Sequence, residues 1–316
     1  MTKVFIDGSA GTTGLRIYER LSERADIQLI KLSEELRKDI NARAEALNNC
    51  DIAFLCLPDD AAREAVSLVN NPDTAIIDTS TAHRTNEGWI YGFPELQPSY
   101  DVIKNSKRIA NPGCHASGFV ALAKPLVDAG LISTDKIMHC FSLTGYSGGG
   151  KKIIAEYESA DRNVLLDAPR QYGISQNHKH LAEMAKISGL SALPLFCPIV
   201  APFYSGMEVT ITLSCNDLEI CSSKNAIEEI SNIYNNTYNK SNGLVRFSES
   251  AGEEGFMSAG AFSGRDDMEV SVSGNKDRVI LVSRFDNLGK GASGAAIQNM
   301  NILLGVDEAC GLTIGK

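Results

Sequence analysis

Four short runs near the start of the chain, residues 3–7, 27–32, 52–57 and 74–79, are rich in Val, Ile, Leu and Phe and are closed by turn or polar residues. Runs of that length and composition predict strands buried on both faces. The stretches separating them repeat apolar residues at helical spacing: Leu15, Tyr18 and Leu21 in 12–24, Leu36, Ile40 and Leu47 in 34–48, Ala62, Val66 and Val69 in 60–69. Such alternation predicts right-handed crossovers and a parallel, doubly wound sheet, with a further strand at 107–110 ending the layer. Beyond about residue 134 the period changes. The runs 136–144, 195–203, 206–214, 244–249, 269–274 and 278–286 are longer and several alternate, most clearly Glu208-Val209-Thr210-Ile211-Thr212-Leu213. This half predicts an α+β domain on a largely antiparallel sheet. A last helical segment, 291–304, follows Gly289-Lys290-Gly291 and is expected to pack back on the first domain.

A length of 316 residues fits two domains at about 150 residues each. Hydrophobic residues at 43% and charged ones at 22% describe a globular chain. Thirty basic against thirty-nine acidic residues leave a net charge of -9, a field that repels nucleic acid and anionic membrane surfaces. No apolar stretch reaches the roughly 18 residues of a membrane span. The start, Met1 to Gly8, runs directly into strand-like sequence without a signal peptide, so the expected compartment is the cytoplasm. The eight cysteines (50, 56, 114, 140, 197, 215, 221 and 310) are scattered with no C-x-x-C pair, which encodes neither a zinc site nor a disulfide framework.

Between the first strand and the first helix lies Gly8-Ser9-Ala10-Gly11-Thr12-Thr13-Gly14. Glycines there allow a tight turn and close approach of backbone to a pyrophosphate, and the helix start supplies N–H donors. The spacing G-x-x-G-x-x-G differs from the commoner dinucleotide pattern, so the loop also reads as a plain glycine-rich turn; its place as the first element of a parallel sheet favours the dinucleotide. At the end of the second strand Lys31 and Ser33, with Arg37 a turn later, favour a ribose 2'-phosphate and hence NADP, while Glu34 and Glu35 would suit a free 2'-hydroxyl.

Asn111-Pro112-Gly113-Cys114-His115-Ala116 joins a strand to the apolar helix 115–129. Gly113 permits unusual backbone angles, Pro112 fixes its own φ, and a helix N-terminus favours thiolate over thiol, so Cys114 is presented as a nucleophile. The other seven cysteines read as fillers or, for Cys310, as residues without a role. Of five histidines, two share Asn177-His178-Lys179-His180-Leu181-Ala182-Glu183 at a predicted helix start; Glu183, at i+3 on the same face, is placed to orient His180. His180 is the preferred acid/base and His178 the reserve. The pair at i, i+2 also suits a metal, but no third ligand is evident and none is expected. His83, His115 and His139 read as surface or packing residues. Arg84 follows a strand of the first domain, where strand ends face a ligand crevice, and its fork suits phosphate or carboxylate. Ser147-Gly148-Gly149-Gly150-Lys151 offers closely spaced N–H groups for cofactor or substrate, or is a mobile loop.

Taken together these segments resemble the short form of the N-acetyl-gamma-glutamyl-phosphate reductases, within the aspartate-semialdehyde dehydrogenase-like group. The resemblance covers nearly the whole chain, through the Gly8 loop, Asp78 to Arg84, Trp89 to Leu96, Asn111 to Cys114, Ser147 to Lys151, His178 to His180, Pro202 to Met207 and Asp286 to Gly294. Ser205 departs from it, standing where the family often has a basic residue before Gly-Met. The resemblance implies an α/β fold with a Rossmann-like dinucleotide-binding domain at 1–113, joined by the segment 291–316, and a catalytic, substrate and oligomerisation domain at 114–290. It implies NADPH-dependent reduction of N-acetyl-L-glutamyl 5-phosphate to the 5-semialdehyde and phosphate through a Cys114 thioester, in arginine biosynthesis. Arg84, Asn111, His178 and Glu183 fall on the substrate side; Gly8 to Gly14, Lys31, Ser33, Ser147, Gly148, Gly149 and Asn287 fall on the cofactor side. A homodimer or homotetramer is expected. The rival readings are an aspartate-semialdehyde dehydrogenase, a catalytically silent NADPH-binding regulator and a cofactor-free cysteine hydrolase.

Overall fold

A computed structural model describes residues 1–219, 225–239 and 243–315; Cys221 lies outside the described residues. The chain divides into two compact units, Met1–Gly113 with Ala292–Leu312, and Cys114–Gly291 with the residues from Thr313 on.

In the first unit β1 (Thr2–Asp7), β2 (Ile27–Ile30), β3 (Ile52–Leu55), β4 (Ala75–Asp78), β5 (Ile90–Tyr91) and β6 (Arg108–Ala110) form one sheet in the order β2-β1-β3-β4-β6-β5. Every pairing in it is parallel. All residues of β3 and β4 are buried, the signature of strands covered on both faces. The order reverses between β1 and β3, the position at which doubly wound sheets open a ligand crevice. Helix α1 (Thr12–Ser22) buries Gly14, Ile17 and Leu21. Leu15, expected on that face, is exposed because Ile17 takes the core position. Helix α2 (Ile40–Asn49) starts later than its apolar spacing predicts. Asp39 caps it by accepting from the Ala42 amide at 2.8 Å, and Leu36 and Ile40 face solvent. Helix α3 (Asp59–Ser67) and the short α4 (Asp101–Lys104) complete the connections. The layer ends not at 107–110 but at β5, whose two residues are too few to show a period. The C-terminal helix α9 (Gly294–Leu304) belongs to this unit: Ala296, Ile297, Met300 and Ile302 share one core with Val4, Ile6, Ile17, Leu21 and Ile77.

The second unit carries a seven-stranded sheet of β7 (His139–Gly145), β8 (Arg170–Gln171), β9 (Leu195–Ala201), β10 (Met207–Ser214), β11 (Val245–Phe247), β12 (Met268–Gly274) and β13 (Arg278–Phe285), ordered β11-β12-β13-β10-β7-β9-β8. Four pairings are antiparallel, while β7 with β9 and β11 with β12 run parallel, so the sheet is mixed. Alternation along β10 buries Met207, Val209, Ile211 and Leu213. Helices α5 (Cys114–Asp128), α6 (Gly150–Glu158), α7 (His180–Ser188) and α8 (Ala226–Tyr238) belong to this unit. Helix α5 is buried almost all round, and at Gly118 it approaches the sheet so closely that a Cβ would lie 2.4 Å from Val209 Cγ2 and 2.7 Å from Ser283 Oγ. Pro125 inside α5 leaves the Ala121 carbonyl without its amide partner and crowds the turn before it. Two tyrosines of α8 repair this: Tyr238 Oη donates to Ala121 O at 2.5 Å and Tyr234 Oη to Leu122 O at 2.7 Å. The opposite sheet face exposes His139, Phe141, Leu195 and Ile280, with Thr212 in register between His139 and Ile280. Among the described residues no helix is long and apolar enough to cross a membrane.

Candidate active site

Cys114 opens α5 and so belongs to the first turn, whose N–H groups have no intrahelical acceptor. It is only partly buried, whereas Cys50 and Cys140 are buried, and burial pushes the Cys50 thiol up to about 12 and that of Cys140 up as well. The backbone after β13 comes close behind it: a Cβ at Gly291 would stand 3.0 Å from Cys114 Cβ. A cluster of rings lies alongside. His115 is 5.6 Å from His180 and 5.9 Å from His178 between ring centroids, and His178 is 4.9 Å from His180. Phe196 of β9 packs against both His115 and His178. His180 begins α7, and its backbone amide donates to His178 Nδ1 at 3.2 Å. Glu183 is buried one turn on.

His115, read from sequence as a surface or packing residue, is the centre of this cluster. Its Nδ1 lies 2.6 Å from Ser142 Oγ and its Nε2 lies 2.6 Å from Tyr172 Oη. Burial, then the neighbouring His178 and Lys179, holds its imidazolium pKa down to about 3, so the ring is neutral at pH 7. His178 is lowered in the same direction, by burial and Lys179. The Tyr172 phenol is pushed up, mainly by burial and further by the charge of Cys114. Ser142 faces inward from β7 because the strand alternates. Adjacency to Cys114 at a helix start was a signal for His115; nothing in the spacing of Tyr172 or Ser142 marks them.

The other residues singled out in the sequence take more structural positions. Arg84 is buried and donates through Nε to Asn111 O and through Nη2 to Thr79 O, both at 2.9 Å. Asn111 Nδ2 donates to Ala292 O at 3.0 Å, and the Asn111 amide donates to Asp78 O at 2.7 Å. Together they fix the bend that leads into Pro112 and Gly113. His83, stacked on Trp89 at 4.1 Å, holds Asp78 through Nδ1 at 2.6 Å. In the second unit Asn287 Nδ2 donates to Ser147 Oγ at 3.0 Å, and Asn287 Oδ1 accepts from the Gly206 amide. The segment from Tyr146 to Gly149 is a single 3-10 turn that leads into α6, and the Ser147 amide donates to Tyr204 O. Ser205, the departure from the family pattern, is buried, and its hydroxyl donates to Asp286 Oδ2 at 2.8 Å.

The glycine loop fits a dinucleotide. Gly8 has φ +88°, and a Cβ there would sit 2.3 Å from Cys56 O, while one at Gly14 would sit 2.4 Å from Gly8 O. Both substitutions would fill the turn that carries the backbone past the strand end. The N-cap of α1 is Gly11, which makes no side-chain cap to its first N–H groups. Ser9 and Ala10 are exposed at the tip, and Thr12 and Thr13 open the helix. Near the end of β2, Lys31 Nζ rests 4.5 Å over the Tyr18 ring, Ser33 is exposed, and Arg37 pairs with Glu34 at 3.0 Å.

Comparison with known proteins bears on the fold and the family. Residues 3–105 match the family model described as the semialdehyde dehydrogenase NAD binding domain, and residues 114–287 match the semialdehyde dehydrogenase dimerisation domain. An N-acetyl-gamma-glutamyl-phosphate reductase of a Nostoc species is 44% identical, covering 98% of this chain and 99% of that protein. One from Pseudomonas putida is 40% identical, covering 98% of each. The solved aspartate semialdehyde dehydrogenase II of Vibrio cholerae has the same fold, with a TM-score of 0.69 at 16% identity, covering 96% of this chain and 98% of that one. Identity of that order along essentially the full length of both proteins means that the chain belongs to the N-acetyl-gamma-glutamyl-phosphate reductase family.

Proposed function

We propose that the protein reduces N-acetyl-L-glutamyl 5-phosphate to N-acetyl-L-glutamate 5-semialdehyde and phosphate with NADPH, in arginine biosynthesis. The observation that carries the reading is Cys114 at the first turn of α5 in the same unit as three converging histidine rings. The thiolate of Cys114 attacks the carbonyl carbon of the acyl phosphate; the new C–S bond forms, the C–O bond to phosphate breaks, and phosphate leaves with the electron pair. The oxyanion in between is stabilised by N–H groups at the α5 start. NADPH, when bound, supplies the hydride that the thioester carbonyl accepts. His180, protonated, gives its proton to sulfur as the C–S bond breaks and the aldehyde leaves, and His178 orients it through the His180 amide contact. Glu183, one turn on in α7, is assigned to the same orientation.

The pyrophosphate is assigned to the loop Gly8, Ser9, Ala10, Gly11, Thr12, Thr13 and Gly14, and the ribose phosphate to Lys31 and Ser33. Ser147, Gly148, Gly149 and Asn287 are assigned to the cofactor in the second unit, where the Asn287–Ser147 hydrogen bond holds the turn. Arg84 and Asn111 act on the substrate side by fixing the bend that precedes Cys114, with Arg84 adding positive charge. The exposed apolar positions Phe141, Leu195 and Ile280 on the open sheet face support a homodimer or homotetramer through this unit, and a cytoplasmic enzyme is the matching location.

The test is spectrophotometric. Purified protein is incubated with phosphate, NADP or NAD, and either N-acetyl-glutamate semialdehyde or aspartate semialdehyde. Absorbance should rise with the acetylated aldehyde and NADP. Faster reduction of NAD would overturn the cofactor assignment, preference for aspartate semialdehyde the substrate assignment, and no reaction with either aldehyde the enzymatic reading.

A further inference from the structure

The hydrogen-bond directions around His115 leave one proton over. Ser142 Oγ is fully buried, and among the described residues its only side-chain partner is His115 Nδ1. If Ser142 only accepted from Nδ1–H, its own O–H would be left buried with no acceptor among the described residues, so the serine proton is assigned to Nδ1. A neutral imidazole carries its single N–H on the other nitrogen, and Nε2–H therefore donates to Tyr172 Oη at 2.6 Å. The tyrosine oxygen is thereby an acceptor toward His115, and its own hydrogen must point elsewhere. Among the described residues Tyr172 Oη has no acceptor for it. The ring is half-buried, and the Cys114 charge acts on the phenol, which places this unclaimed donor in the electrostatic reach of the nucleophile.

We propose that Tyr172 is a substrate-contacting residue of the Cys114 site, its hydroxyl preset by Ser142 and His115 to donate a hydrogen bond to the acyl oxygen of the substrate carried on Cys114. This rests on the reading of Cys114 as the nucleophile. Ser142 and His115 are positioning residues: they touch no substrate and act by forbidding the tyrosine to turn its proton inward. The donor transfers no proton, so it adds to the N–H groups at the helix start and not to the role of His180.

Three variants test it. Tyr172→Phe keeps the ring and removes the donor; kcat should fall about a hundredfold, as for loss of one oxyanion-hole donor, with little change in KM. Alkylation of Cys114 by iodoacetamide in cofactor-free protein should proceed at nearly the wild-type rate, which shows the site is still folded. Ser142→Ala frees the imidazole to take the other tautomer; it should lower kcat several-fold in the wild-type background and leave it unchanged in the Tyr172→Phe background. A wild-type kcat for Tyr172→Phe, or an equal loss from Ser142→Ala in both backgrounds, overturns the proposal. Cys114→Ser separates the two readings: if it abolishes turnover while Tyr172→Phe does nothing, only the tyrosine donor fails, whereas an active Cys114→Ser removes the nucleophile itself.

Discussion

Two histidines, one in each unit, are held by contacts of equal length and end in opposite ways. His83 rests on the carboxylate of Asp78, which also accepts from the Ser80 hydroxyl at 2.7 Å and the Ser80 amide at 2.9 Å. A carboxylate only accepts, so these three contacts end on it. Trp89 stacks on the ring and seals it. His115 instead sits between two hydroxyls, each both donor and acceptor, and the line of donors runs through the ring to finish on Tyr172. A histidine that ends on an acid pins a loop; one that ends on a phenol leaves a hydrogen-bond donor facing whatever lies beyond.

The contrast breaks first at the sulfur. Cys114→Ser should remove nearly all turnover while NADPH binding, followed by fluorescence, stays intact; retained activity would mean that another group attacks. Next, His180→Asn should slow both directions of the reaction by about two to four orders of magnitude, the usual contribution of a general acid/base, with a smaller loss for His178→Asn. If the order of the two is reversed, the roles exchange. The neutral state of His115 has its own signature. The unfolded chain protonates this residue below about pH 6.5, whereas the folded protein resists until about pH 3, so folding stability drains away as pH falls through that window. Urea midpoints of wild type and His115→Asn measured at pH 7, 5 and 4 should converge, with the wild type losing a few kcal/mol more than the variant; parallel curves would show that His115 titrates normally. The smallest effect belongs to the closed cluster: His83→Asn should cost about 1–3 kcal/mol of stability through the hydrogen bond and the stacked ring, yet leave kcat within about twofold of wild type. A large fall in kcat would remove the distinction between the two histidines.

The fold was legible wherever an element buried a whole face or punctuated itself. Both sheets, the Gly8 loop, the cysteine at the head of α5 and the helix start at His180 all carry such marks. The edge strand β5 and the helix α4 are too short to show a period. The start of α2 was set by a cap, Asp39, rather than by the apolar residues before it. In the candidate site, the positions of Cys114 and His180 at helix starts could be read locally. His115 and Tyr172 could not be coupled by reading, because their contact joins residues 57 positions apart and depends on which face of β7 turns Ser142 inward. Arg84 and Asn111 stand out by residue type, but much of their hydrogen bonding serves the chain's own backbone.

The proline in α5 has a consequence for how the enzyme comes into being. The carbonyl it leaves bare accepts from a tyrosine 117 residues further along, and the next carbonyl accepts from a second tyrosine 112 residues on. During synthesis the helix that opens with Cys114 therefore waits, incompletely bonded, until most of the polypeptide has left the ribosome, and its first residue acquires its final setting only once the chain has reached the tyrosines of α8.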